Sequence, residues 1–239
     1  MNTYVLYNPE AGNKKGYENS LKLYDILRGD SIIMQDVSKT DACIFIKNLP
    51  IDAKIISGGD GTLNHFINSI DEEVLKREIY YYASGSGNDF RTDAQAKDEP
   101  FLLNEYLVNL PTVTVKNRKY KFINGVGYGI DGYCCEEGDR LRKKCEGKIN
   151  YAAIAVKGLL FHYKPTFAKI TVDDESCSFD NVWLAPTMKG RCYGGGMIPT
   201  PNQNRFSQGR EVSLMVFHGA GKFKTLSVFP SIFKGEHVK

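Results

Sequence analysis

The stretch Lys54–Ile70, KIISGGDGTLNHFINSI, decides how the first half of this chain is read. A short run rich in β-branched residues ends in Gly58, Gly59, Asp60, Gly61 and Thr62. It passes at once into a segment whose Leu63, Phe66, Ile67 and Ile70 recur at helical spacing. A strand that empties through glycines into a helix forms a phosphate cradle. Backbone N–H groups unshielded by Cβ atoms can approach phosphate oxygens, and the first helical turn adds unpaired donors and the positive end of its dipole. Asp60 is out of place as a mere anion binder, because its carboxylate repels phosphate unless a cation lies between them or it takes a proton from an attacking hydroxyl. Either role points to phosphoryl transfer. A plain turn with Asp as helix N-cap has the same composition, so the neighbouring segments must separate the two readings.

Working outward, Thr3–Tyr7, Ser31–Val37 and Ile79–Ala83 join Lys54–Ser57 as strands. Ala42, Phe45, Ile46 and Leu49 form an apolar helical stripe, and Tyr17, Leu21 and Tyr24 a weaker one. The alternation predicts βαβ units on a mostly parallel sheet. Two further loops follow strands: Tyr7-Asn8-Pro9-Glu10-Ala11-Gly12-Asn13-Lys14-Lys15-Gly16, and Ala83-Ser84-Gly85-Ser86-Gly87-Asn88-Asp89-Phe90. Loops leaving the carboxyl ends of parallel strands share one edge, so three glycine-rich loops should converge there. Other phosphate motifs fail. Gly219-Ala220-Gly221-Lys222 lacks the earlier glycine of a P-loop, and no GxGxxG follows the first strand.

After Pro111 the pattern turns antiparallel, with hairpins expected around Asn117–Arg118 and around the acidic turn in FAKITVDDESCSFDNVWLA, and helices at 151–161 and 224–233. The domain boundary is expected near residue 112, giving domains 1–112 and 113–239. Lys plus Arg number 31 against 28 Asp plus Glu, so no global positive field draws nucleic acid, and none is expected as a partner. The N-terminus lacks the basic start and apolar run of a secretory signal, which predicts a cytoplasmic protein. The six cysteines (Cys43, Cys134, Cys135, Cys145, Cys177, Cys192) form no CxxC pair and are expected to be reduced, buried thiols.

Together these motifs resemble the diacylglycerol kinase catalytic-domain family, which includes bacterial lipid kinases, sphingosine kinases and ceramide kinase. The resemblance rests on Tyr7-Asn8-Pro9 with Gly12, on Gly58-Gly59-Asp60-Gly61-Thr62-Leu63-Asn64, on Gly85-Ser86-Gly87-Asn88-Asp89-Phe90, and on Tyr193-Gly194-Gly195-Gly196-Met197 with Pro199. It implies a three-layer α/β N-terminal domain with a mostly parallel sheet, NAD-kinase/phosphofructokinase-like, followed by an all-β sandwich-like C-terminal domain. It also implies ATP- and Mg²⁺-dependent phosphorylation of a lipid hydroxyl, diacylglycerol or a related glycerolipid, at a membrane surface. By motif position, Asn8, Gly12 and Asn13 form the first nucleotide loop, Gly58, Gly59, Asp60, Gly61, Thr62, Leu63 and Asn64 hold the phosphates, and Ser86, Asn88 and Asp89 close the site. Ser38 is a looser match to a nucleotide-contacting threonine. Asp60 is the implied catalytic residue and Mg²⁺ partner. Asn124, Gly129 and Asp131 fall in a segment that the resemblance places near the lipid.

Arg140, Arg142, Lys143, Lys144 and Lys148, ahead of an apolar helix, offer a solvated face or a dock for anionic lipid on the inner face of the membrane. Three features depart from the family pattern. His65 stands where relatives carry Glu, and Gln208-Gly209 replaces an Asp-Gly whose Asp helps hold a structural Mg²⁺. Relatives also continue past the segment matching FPSIFKGEHVK into an acidic Asp-Gly-Glu stretch that supplies a general base. The C-terminal domain is therefore expected to be incomplete, with an open edge on which a homodimer can form. A nucleotide- or lipid-binding protein with little turnover is the alternative this leaves.

Overall fold

The structure is a computed structural model that describes residues 2–144 and 149–238, with backbone alone at 55–57 and 142. It divides into two units, Met1–Ile123 and Asn124–Lys239. Cys145 and Lys148 lie outside the described residues.

The first unit runs β1 (Asn2–Tyr7), a four-residue turn α1 (Ala11–Lys14), α2 (Gly16–Leu21), α3 (Leu23–Ile26), β2 (Ser31–Asp36), α4 (Ala42–Lys47), β3 (Lys54–Ser57) and α5 (Asp60–Ser69). It continues with β4 (Ile79–Tyr81), α6 (Asp89–Ala94), β5 (Phe101–Leu102), α7 (Asn104–Leu107) and the hairpin β6 (Thr112–Val115) and β7 (Arg118–Lys121). The sheet order is β2-β1-β3-β4-β5. The first four strands are parallel and β5 is antiparallel to β4.

Alternation along β1 sends Leu6 and Val5 to opposite faces, which makes the three layers. Leu6 meets Ala42, Ile46, Leu63, Phe66 and Ile67 from α4 and α5, while Val5 meets Leu23 and Tyr82 on the other side. Asp41 starts α4 by accepting a hydrogen bond from the Ile44 N–H at 3.0 Å.

The expected stripe on α2 and α3 is corrected. Tyr17, Leu21 and Tyr24 are exposed, and Gly16, Ser20 and Leu23 face inward. The helix approaches the β1 loop so closely that a Cβ on Gly16 would sit 1.9 Å from the Asn8 carbonyl oxygen, so small residues make the close backbone contact while Tyr17 lies against Tyr7 at the surface, ring centroids 5.1 Å apart. Hairpin β6–β7 turns through Lys116 and Asn117, at φ 48° and 63°, one residue earlier than expected. It belongs to the first unit because Asn68 of α5 clamps Lys121 reciprocally: Asn68 Nδ2 donates to the Lys121 carbonyl at 3.0 Å and accepts its N–H at 2.7 Å. The first compact unit therefore extends to Ile123.

The second unit contains β8 (Gly125–Val126), α8 (Ile130–Lys144), α9 (Tyr151–Lys157), a π-helical turn Gly158–His162, β9 (Thr166–Val172), β10 (Glu175–Val182), β11 (Thr187–Met188), β12 (Ser213–Leu214) and α10 (Lys222–Ile232). Strands β12, β11 and β8 form an antiparallel sheet, and β9–β10 a hairpin whose turn residues Asp173 and Asp174 adopt φ 47° and 69°. Ile130, Leu159, Trp183, Leu184 and Ile232 form its core. The Trp183 indole N–H donates to the Ala220 carbonyl at 2.7 Å, which satisfies the ring's buried polar handle.

Cys192 is buried as expected, whereas Cys135 on α8 and Cys177 on the β9–β10 hairpin are exposed, because that hairpin faces solvent along most of its length. No helix among the described residues is long and apolar enough to cross a membrane. Gly16→Ala should lower the stability of the full chain by about 3 kcal/mol, since the Cβ can be housed only by displacing backbone. Urea unfolding is the check.

Candidate nucleotide site

The rim of the first sheet is built from the loops that leave β1, β3 and β4, three adjacent parallel strands. They meet backbone to backbone. A Cβ on Gly59 would lie 2.6 Å from the Gly85 Cα, and one on Gly58 would lie 3.0 Å from the Ser84 Oγ. The β1 loop joins them through Asn19 of α2, whose Nδ2 donates to the Ser84 carbonyl at 3.0 Å. Gly12, at φ 60°, turns this loop toward the same carbonyl, and Asn13 follows at φ 61°. The Asn8 Oδ1 accepts the Glu10 N–H at 3.0 Å and fixes the start of the loop.

Helix α5 starts at Asp60 with Gly59 extended before it, so the N–H groups of its first turn have no preceding carbonyls to bond. A Cβ on Gly61 would meet nothing within 4 Å, so this end of the helix opens outward. Two buried polar atoms here have no protein partner, Thr62 Oγ1 and Asn88 Oδ1. The Thr62 hydroxyl, the open helix start and the interlocked glycines fit an anionic polyphosphate.

The Asp60 carboxylate points back into the protein. Its Oδ2 accepts the Asp89 N–H at 2.8 Å, and its Oδ1 accepts the Phe90 N–H at 3.2 Å and the Tyr81 hydroxyl at 3.2 Å. Asp60 thus ties the β3 loop to the start of α6. Below it, Tyr81 and Phe90 pack edge to face with centroids 5.2 Å apart, and Phe90 meets Tyr106 at the same distance. Burial against these rings raises the Asp60 pKa, opposed in part by the bonds from Phe90, Asp89 and Tyr81. Burial also lifts the Tyr81 phenol well above its ordinary value, reinforced by the charge of Asp60.

The remaining candidates are placed as follows. Ser86, Asn64 and Asn13 are exposed on these loops, and Asp89 is buried beside Asp60. Leu63 is fully buried in the core, so only its backbone can serve a ligand. Ser38 is exposed, with its N–H and hydroxyl both bonded to Asp36 Oδ1 at 2.8 and 2.7 Å, and its polar groups make a local turn after β2 rather than a link to the three loops. His65 is exposed on α5. Among the described residues no three His, Cys, Asp or Glu side chains gather to hold a metal, and Gln208 lies exposed in a turn. Of the linking residues, Ser84 and Phe90 fall in the glycine loop already read after β4, while Asn19 and Tyr81 carry no motif that would single them out in a sequence.

In the second unit, Tyr193 and Met197 exchange backbone hydrogen bonds at 3.0 Å across three glycines at φ 64°, 84° and 108°. The Tyr193 hydroxyl donates to Asp131 Oδ2 at 2.8 Å. Burial pushes Asp131 up to about 6 despite this bond, and burial followed by the charge of Asp131 pushes the Cys134 thiol up to about 12. Gly129, at φ 94°, lies against the Trp183 carbonyl, where a Cβ would come within 2.5 Å. Asn124 Oδ1 accepts from Arg205 Nη2 at 3.2 Å.

The profile of the diacylglycerol kinase catalytic domain matches residues 2–112, and that of the YegS C-terminal NAD kinase beta sandwich-like domain matches residues 124–239. Residues 2–112 are a diacylglycerol kinase catalytic domain, followed by a domain of the YegS C-terminal type. It is 26% identical over 191 residues to proteins named "Putative lipid kinase" in Staphylococcus aureus strains Mu3 and Newman, an alignment covering 77% of this chain. The chain spans about 59% of the length of these relatives. The structure described as "A putative diacylglycerol kinase from Bacillus anthracis str. Sterne" superposes with a TM-score of 0.60 at 18% identity, covering 99% of this chain and 80% of that one. A second structure from the same organism gives 0.57 at 18% identity, covering 99% and 77%. These likenesses show the fold, an α/β catalytic domain followed by a β sandwich-like domain.

Two outcomes follow. Asp60→Ala strands two backbone donors, at Asp89 and Phe90, and should cost about 3 kcal/mol in urea unfolding. Asp131 carries the opposite sign from a salt-bridged carboxylate: with its folded pKa above the unfolded one, its ionised form destabilises the fold, fully above about pH 6 and progressively less as pH falls toward 4. Asp131→Asn should therefore raise stability by about 2 kcal/mol near pH 8 and by little near pH 4, measured as unfolding free energy against pH.

Proposed function

We propose that this chain carries the nucleotide site of an ATP-dependent lipid kinase, moving the γ-phosphoryl group to a hydroxyl of diacylglycerol or a related glycerolipid to give phosphatidic acid or its analogue. The observation that carries the reading is the convergence of the three loops, with Gly58 and Gly59 against Ser84 and Gly85, on an open helix start.

The first-turn N–H groups of α5 and the Thr62 hydroxyl bind phosphate oxygens, while the β1 loop through Asn8, Gly12 and Asn13 flanks the nucleotide. Ser86 and Asn88 close over it from the β4 loop. The lipid oxygen bonds to the γ-phosphorus as the bridging oxygen leaves with ADP, and the hydroxyl proton passes to a base. Such a transfer depends on positioning and charge stabilisation more than on covalent chemistry. Asp60 supplies the positioning by holding two loops in register. Burial raises its proton affinity, opposed in part by the bonds from Phe90, Asp89 and Tyr81. Mg²⁺ arriving with ATP would neutralise phosphate charge, and Asp60 is the carboxylate that would face it at the helix start.

Incubation of the full chain with Mg-ATP and a panel of diacylglycerol, phosphatidylglycerol and sphingoid base tests the reading by radiolabel transfer to lipid. A phosphorylated glycerolipid is expected, and Asp60→Asn should lower kcat at least about a hundredfold. ATP binding with no transfer to any acceptor would favour a binding protein instead. Gly61→Ala separates site from fold. Its Cβ meets no protein atom, so stability should hold within about 0.5 kcal/mol while ATP affinity falls about tenfold, read by calorimetry.

A further inference from the structure

In the second unit, the Lys222 ammonium at the start of α10 donates to the Leu160 carbonyl in the π-helical turn at 2.7 Å. The residue after each partner is a phenylalanine, and both face solvent: Phe161 is 73% exposed and Phe223 86%. No other large hydrophobic side chain among the described residues is as exposed as these two. One hydrogen bond therefore joins the two segments that carry these bare aromatic rings. A protein that gains nothing from such rings in water would bury them or replace them with polar groups.

The elements that carry them hold basic charge only. Residues 150–172 and 212–235, which contain α9, the π-helical turn and α10, hold six lysines and no Asp or Glu, in a chain with 28 acidic residues. Lys157, Lys222 and Lys224 are exposed in the same segments as the phenylalanines. Glu137 of α8, whose charge reaches Lys157 and His162, is already held by Arg140 through two hydrogen bonds of 2.7 and 2.5 Å. Exposed aromatics on elements that carry lysines and no acidic residue match an anionic lipid surface: the rings enter the acyl boundary and the ammonium groups stay at the headgroups.

We propose that Phe161 and Phe223, flanked by Lys157, Lys222 and Lys224, dock this unit on an anionic bilayer. The inference rests on the lipid-kinase reading only for the choice of a bilayer as occupant. It moves the contact away from the basic run of α8, where Arg140 is paired and Glu136, Glu137 and Asp139 interrupt the positive charge.

Sedimentation of the full chain with vesicles of equimolar phosphatidylcholine and phosphatidylglycerol tests it, with pure phosphatidylcholine vesicles alongside. Binding to the anionic vesicles is expected, weakened by salt. Phe161→Glu and Phe223→Glu should each reduce partitioning about tenfold, and Lys224→Gln about fivefold. Ile51→Glu, which removes an exposed hydrophobe from the first unit, should change nothing, and circular dichroism should show every variant folded. Equal binding to neutral vesicles, an equal loss with Ile51→Glu, or concentration-dependent self-association through the two phenylalanines with no vesicle binding would overturn the proposal. The readout is independent of catalysis. Sedimentation through Phe161 and Phe223 without lipid phosphorylation would leave the docking face standing and remove the kinase, and phosphorylation of vesicle lipid undiminished in the double variant would remove the docking face alone.

Discussion

The first unit depends on a carboxylate that turns inward. Asp60 opens helix α5, yet its oxygens are spent on the Asp89 and Phe90 N–H groups and on the Tyr81 hydroxyl. A buried carboxylate is costly unless donors surround it, and here they come from the neighbouring loop. The same bonds that offset its burial hold two glycine loops at backbone contact. The helix N-terminus can therefore stay open, because loop geometry is fixed by Asp60 and not by side chains reaching across the opening.

The second unit uses a similar device with different parts. Gly129 lets the chain pass against the Trp183 carbonyl, and Tyr193 reaches from the triple-glycine turn to Asp131 on α8. In both units an aspartate near the first turn of a helix receives a bond from elsewhere in the fold. In both, burial raises its proton affinity. Glycines permit the close backbone approaches, and the carboxylates make them specific.

The legibility of these features in the sequence follows their physics. Strand β3 and helix α5 could be read because period and composition are local properties: four apolar residues at helical spacing, then glycines where the chain must turn. The convergence of the three loops was also accessible, since parallel strands impose it. The partners of Asp60 were not, because they lie 21 to 30 residues away and a backbone N–H has no signature of its own. The packing face of α2 was misread for a related reason. Gly16 and Ser20 make the contact by being small, and a search for apolar residues selects Tyr17 and Tyr24 instead. Ser38 matched by position but bonds its own turn, as serine does wherever a nearby acceptor is free. The hairpin after Pro111 was recognised as a hairpin, while its attachment through Asn68 to Lys121 depends on a single side chain 53 residues distant.

The central claim is that a nucleotide polyphosphate settles on the amide groups of the three loops. Titration of the isotope-labelled full chain with Mg-ATP, followed by backbone amide chemical shifts, tests it directly. The account predicts saturable shifts concentrated at Gly12, Asn13, Gly59 to Thr62 and Gly85 to Asn88. Shifts absent from these amides, or confined to residues after Asn124, would contradict it.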